Sequence, residues 1–175
     1  TNFTNLQVSS YTGTSFTTGN AARARSRGIE GDVSLRLSDM LTLGGSGAYL
    51  DARYRDYPGA ACVYNAPVGC VSMNLAGYRL TRAPEWKWNA YAQLTVPVSA
   101  SWQLSGRLSA DYTSESIYQD DRNPHNIMPG YTKLDARIAM SSEDLGLDIA
   151  LIGRNLTNEV SYSQSFAIPL VAGTW

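Results

Sequence analysis

The side chains of this chain that could do chemistry are few. Cys62 and Cys70 share one stretch, Ala60-Ala61-Cys62-Val63-Tyr64-Asn65-Ala66-Pro67-Val68-Gly69-Cys70, whose Gly, Pro and Asn mark it as a loop. An oxidising compartment would let the two thiols join, and closing so short a loop stabilises by roughly 2 to 3 kcal/mol in the chain-entropy model. Two free thiols or half of a metal site are the alternatives, but neither a His nor another Cys lies near to complete a tetrahedral set. The single histidine, His125, sits in Asn123-Pro124-His125-Asn126, a turn-forming context that suits an exposed loop residue better than a base or a metal ligand. No convergent acid, base and nucleophile can be assembled, so the sequence reads as that of a non-enzyme with no cofactor. Gly44-Gly45-Ser46-Gly47 lacks the Lys and the following helix of a phosphate loop, and reads as close packing within a strand.

More informative are charged residues at alternate positions: Lys87, Arg107, Asp111, Lys133, Asp135, Arg137, Asp148 and Arg154. What must position them is strand periodicity, in which successive side chains point to opposite faces. Trp86, Trp88, Ala90, Ala92, Leu94 and Val96 share one face, while Glu85, Lys87, Asn89, Gln93 and Thr95 share the other with Tyr91. Trp102, Leu104, Gly106, Leu108, Ala110 and Tyr112 alternate in the same way with Gln103, Ser105, Arg107, Ser109, Asp111 and Thr113. Leu134, Ala136, Ile138 and Met140 oppose Lys133, Asp135 and Arg137; Leu147, Ile149 and Leu151 oppose Asp148 and Arg154, with Ile152 out of pattern. Upstream, Ile29, Val33, Leu35 and Leu37 alternate with Glu30, Asp32, Ser34 and Arg36.

The pattern predicts about seven strands, over roughly 2–11, 21–37, 41–55, 79–97, 102–119, 130–142 and 146–162. Most reach or exceed the roughly nine to eleven residues that cross a bilayer at a tilt, whereas no window approaches the roughly 20 apolar residues of a membrane-spanning helix. Short turns at Ser38-Asp39, Val98 to Ser101 and Ser142 to Asp144 alternate with long connections at Thr12 to Asn20, Asp56 to Tyr78, Asp120 to Pro129 and after Tyr162. Long loops at one end and short turns at the other are the layout of an up-and-down transmembrane β-barrel, and Trp and Tyr rings near both ends suit its interfacial girdles. Composition agrees: 17% charged residues is below the roughly 25% of soluble domains, with 11 Tyr and 4 Trp. A net charge of -1 with scattered Lys and Arg argues against a nucleic-acid partner.

Four segments carry a resemblance. Gly153-Arg154-Asn155-Leu156-Thr157-Asn158 resembles the Gly-Arg-Asn-Leu-Thr-Asn/Asp motif near the end of TonB-dependent receptor barrels. Leu80-Thr81-Arg82-Ala83-Pro84-Glu85-Trp86 is similar to the Leu-x-x-Ala-Pro-Glu-Trp start of a preceding strand, Arg27-Gly28-Ile29-Glu30 to the family's Gly-Val-Glu segment, and Tyr49-Leu50-Asp51-Ala52-Arg53-Tyr54 to the strand between them. Within that motif Asn155-Leu156-Thr157 is not expected to act as a glycosylation sequon.

The resemblance implies an all-β, antiparallel barrel of about 22 strands filled by a plug. Residues 1–175 would be the C-terminal portion of its barrel domain, without plug, TonB-contacting segment, closing strand or signal peptide. It further implies a bacterial outer-membrane receptor for TonB-coupled uptake of a scarce nutrient such as a ferric siderophore. The implied partners are outer-membrane lipid, TonB through the missing plug, and a small-molecule ligand such as a metal chelate. The alternate charges would face the lumen and pair across neighbouring strands. Ligand selection would fall to the outer loops, which carry Tyr57, Tyr64, Tyr78, Arg79, Asp121, Arg122 and His125. A passive porin or a structural or adhesive barrel is the alternative, and a soluble carbohydrate-binding sandwich a more distant one.

Overall fold

Two-residue alternation produces strands throughout the computed structural model, which describes residues 1–11 and 16–165. The strands are β1 (Asn2–Tyr11), β2 (Phe16–Arg36), β3 (Leu41–Asp56), β4 (Trp86–Pro97), β5 (Gln103–Thr113), β6 (Ser116–Ile117), β7 (Ile127–Met128), β8 (Tyr131–Ser142) and β9 (Leu147–Gly153). Seven of them form one sheet in the order β1-β2-β3-β4-β5-β8-β9, and β6 and β7 pair as a separate ribbon. Every pairing in the seven-stranded sheet is antiparallel and, apart from the β6–β7 ribbon inserted between β5 and β8, joins strands successive in the chain, the up-and-down order of a barrel wall. Among the described residues β1 and β9 do not pair, so these strands form an open arc of wall.

The short turns close by local hydrogen bonds, with the Leu37 amide donating to the Leu41 carbonyl at 2.9 Å and the Val98 amide to that of Trp102 at 2.8 Å. Gly146 takes φ +59° in the third, a conformation that a side chain would strain. The register puts Leu94 opposite Gly106, Ala92 opposite Leu108, and Leu108 opposite Ala136, so the apolar residues of three strands share one face. Among the described residues that face has no second layer on it: Ile29 is 74% exposed, Trp86 52%, Leu94 48%, Leu104 38% and Leu108 52%. The opposite face is polar and half-buried through Gln93, Ser105, Ser109, Lys133, Asp135 and Arg137. A sandwich requires the apolar side to be covered, and is excluded by this inversion. On the polar face the Tyr91 ring lies over Gly44, where a Cβ would come within 2.4 Å of Tyr91 Cζ. That close approach accounts for a glycine inside the strand.

Four boundaries differ from the sequence expectation. The strand expected from residue 79 begins at Trp86, because Arg82 adopts φ +56° and Pro84 has no N–H for the ladder. The strand expected to run to 119 stops at Thr113, and the chain turns aside into the β6–β7 ribbon. The last strand ends at Gly153 instead of near 162, because Asn155 and Asn158 both take positive φ. The loop expected over Thr12 to Asn20 is shorter: β2 already pairs with β1 from Phe16, and the connecting residues 12–15 lie outside the described residues. The connection after Tyr162 is described only as far as Ser165.

Candidate functional site

At the long-loop end the polarity reverses, and apolar side chains turn inward. Ala24, Tyr54, Tyr57, Ala60, Val63 and Leu75 form a buried cluster, with Leu6, Val8, Met73 and Leu80 packed against it. The Ala60 and Met73 backbones bond each other at 3.0 Å in both directions, and the Gly77 amide donates to the Tyr54 carbonyl at 2.8 Å. The structure joins Cys62 and Cys70 in a disulfide, with their Cα atoms 6.2 Å apart, at the tip of this loop. The second long loop is held by its own side chains: Asn123 accepts from the His125 amide at 3.1 Å and caps the one-turn helix Pro124–Asn126.

The two loops are fused into one lobe. The Tyr64 amide donates to the Asp121 carbonyl at 2.6 Å and the Arg82 amide to that of Ile117 at 2.7 Å. The Tyr54 hydroxyl donates to the buried Asp120 carboxylate at 3.1 and 3.2 Å. Arg122 donates to the Arg79 carbonyl at 2.5 Å and lies 4.7 Å over the Tyr78 ring. Burial pushes the Asp120 carboxyl above its ordinary range, against the opposing pull of the Tyr54 hydrogen bond and the Arg122 charge. Burial likewise lowers the Arg122 guanidinium, with Asp120 opposing that shift.

The loop residues expected to select a ligand divide into two groups. Tyr57 is buried, with its ring 5.1 Å from that of Tyr54. Arg79 pairs with Glu85 at 3.2 Å and Glu115 at 3.1 Å, and Asp121 accepts from the Asn123 amide at 3.1 Å. With Tyr78 and Arg122 these residues hold the lobe together. Tyr64 and His125 are exposed on its surface. None of the seven lines a concavity of about 590 Å³ bounded by Leu6, Tyr54, Arg82, Tyr118, Asp120 and Gln164 among others. Of its lining residues only Leu80 and Asp120 immediately neighbour the expected ones in sequence. The available signal was parity: Tyr54 continues the polar-face positions of β3 past the level where the wall ends.

On the polar face of the wall, the eight alternate charges follow several arrangements. Arg137 pairs with Asp148 at 2.7 Å. Arg107 faces Arg137 across the ladder, and instead stacks 3.8 Å from the Tyr91 ring and donates to Gln93 at 3.2 Å. Asp111 faces Lys133, yet accepts from Asn89 at 2.9 Å while Lys133 donates to the Ser161 hydroxyl at 2.6 Å. Asp135 accepts the Asn155 amide at 2.7 Å. Lys87 lines an open trough of about 640 Å³ with Glu30, Asp32, Asn89 and Asp111, and Arg154 is exposed beyond β9. Among the described residues, cross-strand ion pairing thus holds for one pair of the eight, while a ring, amides or a hydroxyl meet Arg107, Asp111, Lys133 and Asp135. Among the described residues no group of three or more His, Cys, Asp or Glu could hold a metal ion.

The amino-acid sequence matches the family model of TonB dependent receptor-like β-barrels over residues 1–156. The chain belongs to that family. Among solved structures, the TonB-dependent receptor-like barrel described here is similar to the siderophore receptor PiuA from Acinetobacter baumannii. The TM-score is 0.60 at 17% identity, over 89% of this chain and 20% of that one. That likeness is one of fold, and the chain spans a fifth of the length of that receptor. No curated protein matches the chain significantly.

Membership of the receptor barrel family gives the terminal motif a physical reading. After β9 the barrel wall continues through a side-chain-bonded turn: the Leu156 amide donates to the Leu134 carbonyl at 2.7 Å, and Thr157 Oγ1 to that of Thr132 at 3.0 Å. Asn155 takes φ +52° and uses its side-chain amide to hold Glu159, with donor and acceptor contacts both at 3.0 Å. Asn tolerates this left-handed conformation better than other residues bearing side chains, which suits it to this position.

Proposed function

We propose that this chain supplies wall and outer vestibule to a bacterial outer-membrane receptor that imports a scarce nutrient through TonB coupling, with a ferric siderophore as the leading ligand class. The observation that carries the reading is the polarity inversion: the wall bares its apolar side chains, and a disulfide-bonded lobe caps its polar face at one end. The bare face suits hydrocarbon, and satisfied strand ladders permit it to lie there. The lobe stands at the outer end, with the vestibule between Tyr54, Arg82, Tyr118 and Asp120 as the first contact for an incoming ligand. The polar face lines the interior, where the plug, supplied by other parts of the receptor, binds and gates. The known purpose of the siderophore receptor PiuA, as its name states, supports the choice of ligand class.

The test is uptake by cells expressing the full-length receptor. Accumulation of a labelled ferric chelate that requires both this receptor and TonB is the expected result. Entry that continues unchanged without TonB would identify a passive pore and overturn the proposal.

A further inference from the structure

The bare face of the wall changes chemistry toward the lobe. Its last apolar level is aromatic: Tyr49 meets Trp86 with ring centroids 4.8 Å apart, and Trp88 meets Tyr112 at 5.5 Å. Ile29 stands opposite Tyr49 on β2. Going outward on the same face, the next pairs are Arg27 with Asp51, then Arg25 with Arg53, and then Arg23 with Asp56 past a register shift in the ladder. At ~3.3 Å per residue, the three β2 arginines stand about 7, 13 and 20 Å along the strand from the aromatic level.

The charges there are not balanced locally. Asp51 accepts from Arg27 at 2.9 Å and from Arg53 at 2.6 Å, and Glu85 meets Arg53 at 3.2 Å. Arg23 reaches Asp56 only at 4.0 Å. Four arginines, Arg23, Arg25, Arg27 and Arg53, therefore face Asp51, Asp56 and Glu85, and Glu85 is shared with Arg79, which also meets Glu115; with that pair included, five arginines stand against four carboxylates, a surplus of one positive charge. Arg25 and Arg53 oppose each other directly, which costs stability on a ladder unless an anion lies between them. The Arg23 and Arg27 side chains are 67% and 65% exposed.

We infer that this arginine row binds the phosphate groups of outer-leaflet lipid headgroups. Two features select that occupant. The row continues the lipid-facing wall just past its aromatic level, where headgroups begin, and the guanidinium fork matches phosphate oxygens in pairs. The inference rests on the membrane placement proposed above and is independent of the imported ligand; a receptor that binds lipid but imports nothing would overturn the transport proposal alone.

The experiment is native mass spectrometry of the full-length receptor in detergent, with added lipid A carrying its phosphates and the same lipid after their removal. The phosphorylated lipid should be retained preferentially and released by added salt. In the double variant R23Q/R25Q, which spares the tight Arg27–Asp51 pair, its retention should fall by about tenfold. Arg36→Gln, at the opposite end of β2, should leave it unchanged. Equal retention of phosphorylated and dephosphorylated lipid by the wild-type receptor would overturn the inference even if the double variant fails to fold. Unchanged retention in a folded double variant would overturn it as well.

Discussion

Leu108 in the wall is 52% exposed, whereas Leu75 in the lobe is fully covered. One residue type thus serves two opposite ends, and the same contrast separates whole regions. In the wall, stability comes from the strand ladders, and side chains are sorted by the medium they meet. In the lobe, it comes from burial around Tyr54 and Leu75, from the disulfide, and from bonds between two loops. The lobe is built as a small water-soluble protein, and the wall is built inside out.

The largest effects should fall where that contrast is greatest. Leu75→Ala should destabilise the lobe by about 2 to 5 kcal/mol, as a buried leucine deletion does, while Leu108→Ala should cost the full-length receptor far less in lipid. Denaturant unfolding in lipid vesicles, with a lobe probe for the first variant, measures both; equal costs would erase the distinction. Next, Leu108→Arg should cost roughly 2 to 4 kcal/mol in a bilayer and its neighbour Ser109→Arg little, since only the first places charge in hydrocarbon. Equal effects would reverse the face assignment. Replacing both Cys62 and Cys70 by Ser should weaken the lobe by roughly 2 to 3 kcal/mol and leave the wall unaffected, as read by hydrogen exchange of loop and strand amides.

The smallest effect concerns pH. Because burial raises the folded-state pKa of Asp120, the folded lobe holds this proton more tightly than the unfolded chain does. Its contribution favours folding fully below the ordinary carboxylate value, and is lost as pH rises through the folded-state value. Lobe protection, corrected for intrinsic exchange rates, should therefore increase on mild acidification; Asp120→Asn should abolish that increase. An unaltered pH response in the variant would assign it to another group.

Much of this contrast was legible in the residues. Trp86 to Val96 and Leu104 to Tyr112 each give a strand with a defined face, because a period of two admits only two orientations. Short turns and long loops showed which ends lie together. The boundaries at Trp86, Thr113 and Gly153 were not legible, because they depend on positive φ at Arg82 and Asn155 and on a ribbon between distant segments. Ligand-site residues were the least accessible. Loop side chains such as Tyr57, Arg79 and Arg122 are the types that bind ligands, but the same rings and guanidiniums also bridge loops, and only three-dimensional proximity decides between these uses.

The sequence by itself determined the strands, their two chemically distinct faces and the family, since all three depend on local spacing and short motifs. Tertiary structure decided that two loops share one core through Tyr54, Asp120 and Arg122. It also decided that four arginines gather beyond the aromatic level. These contacts join residues far apart in the chain, and their energies depend on burial and charge proximity that no local spacing encodes.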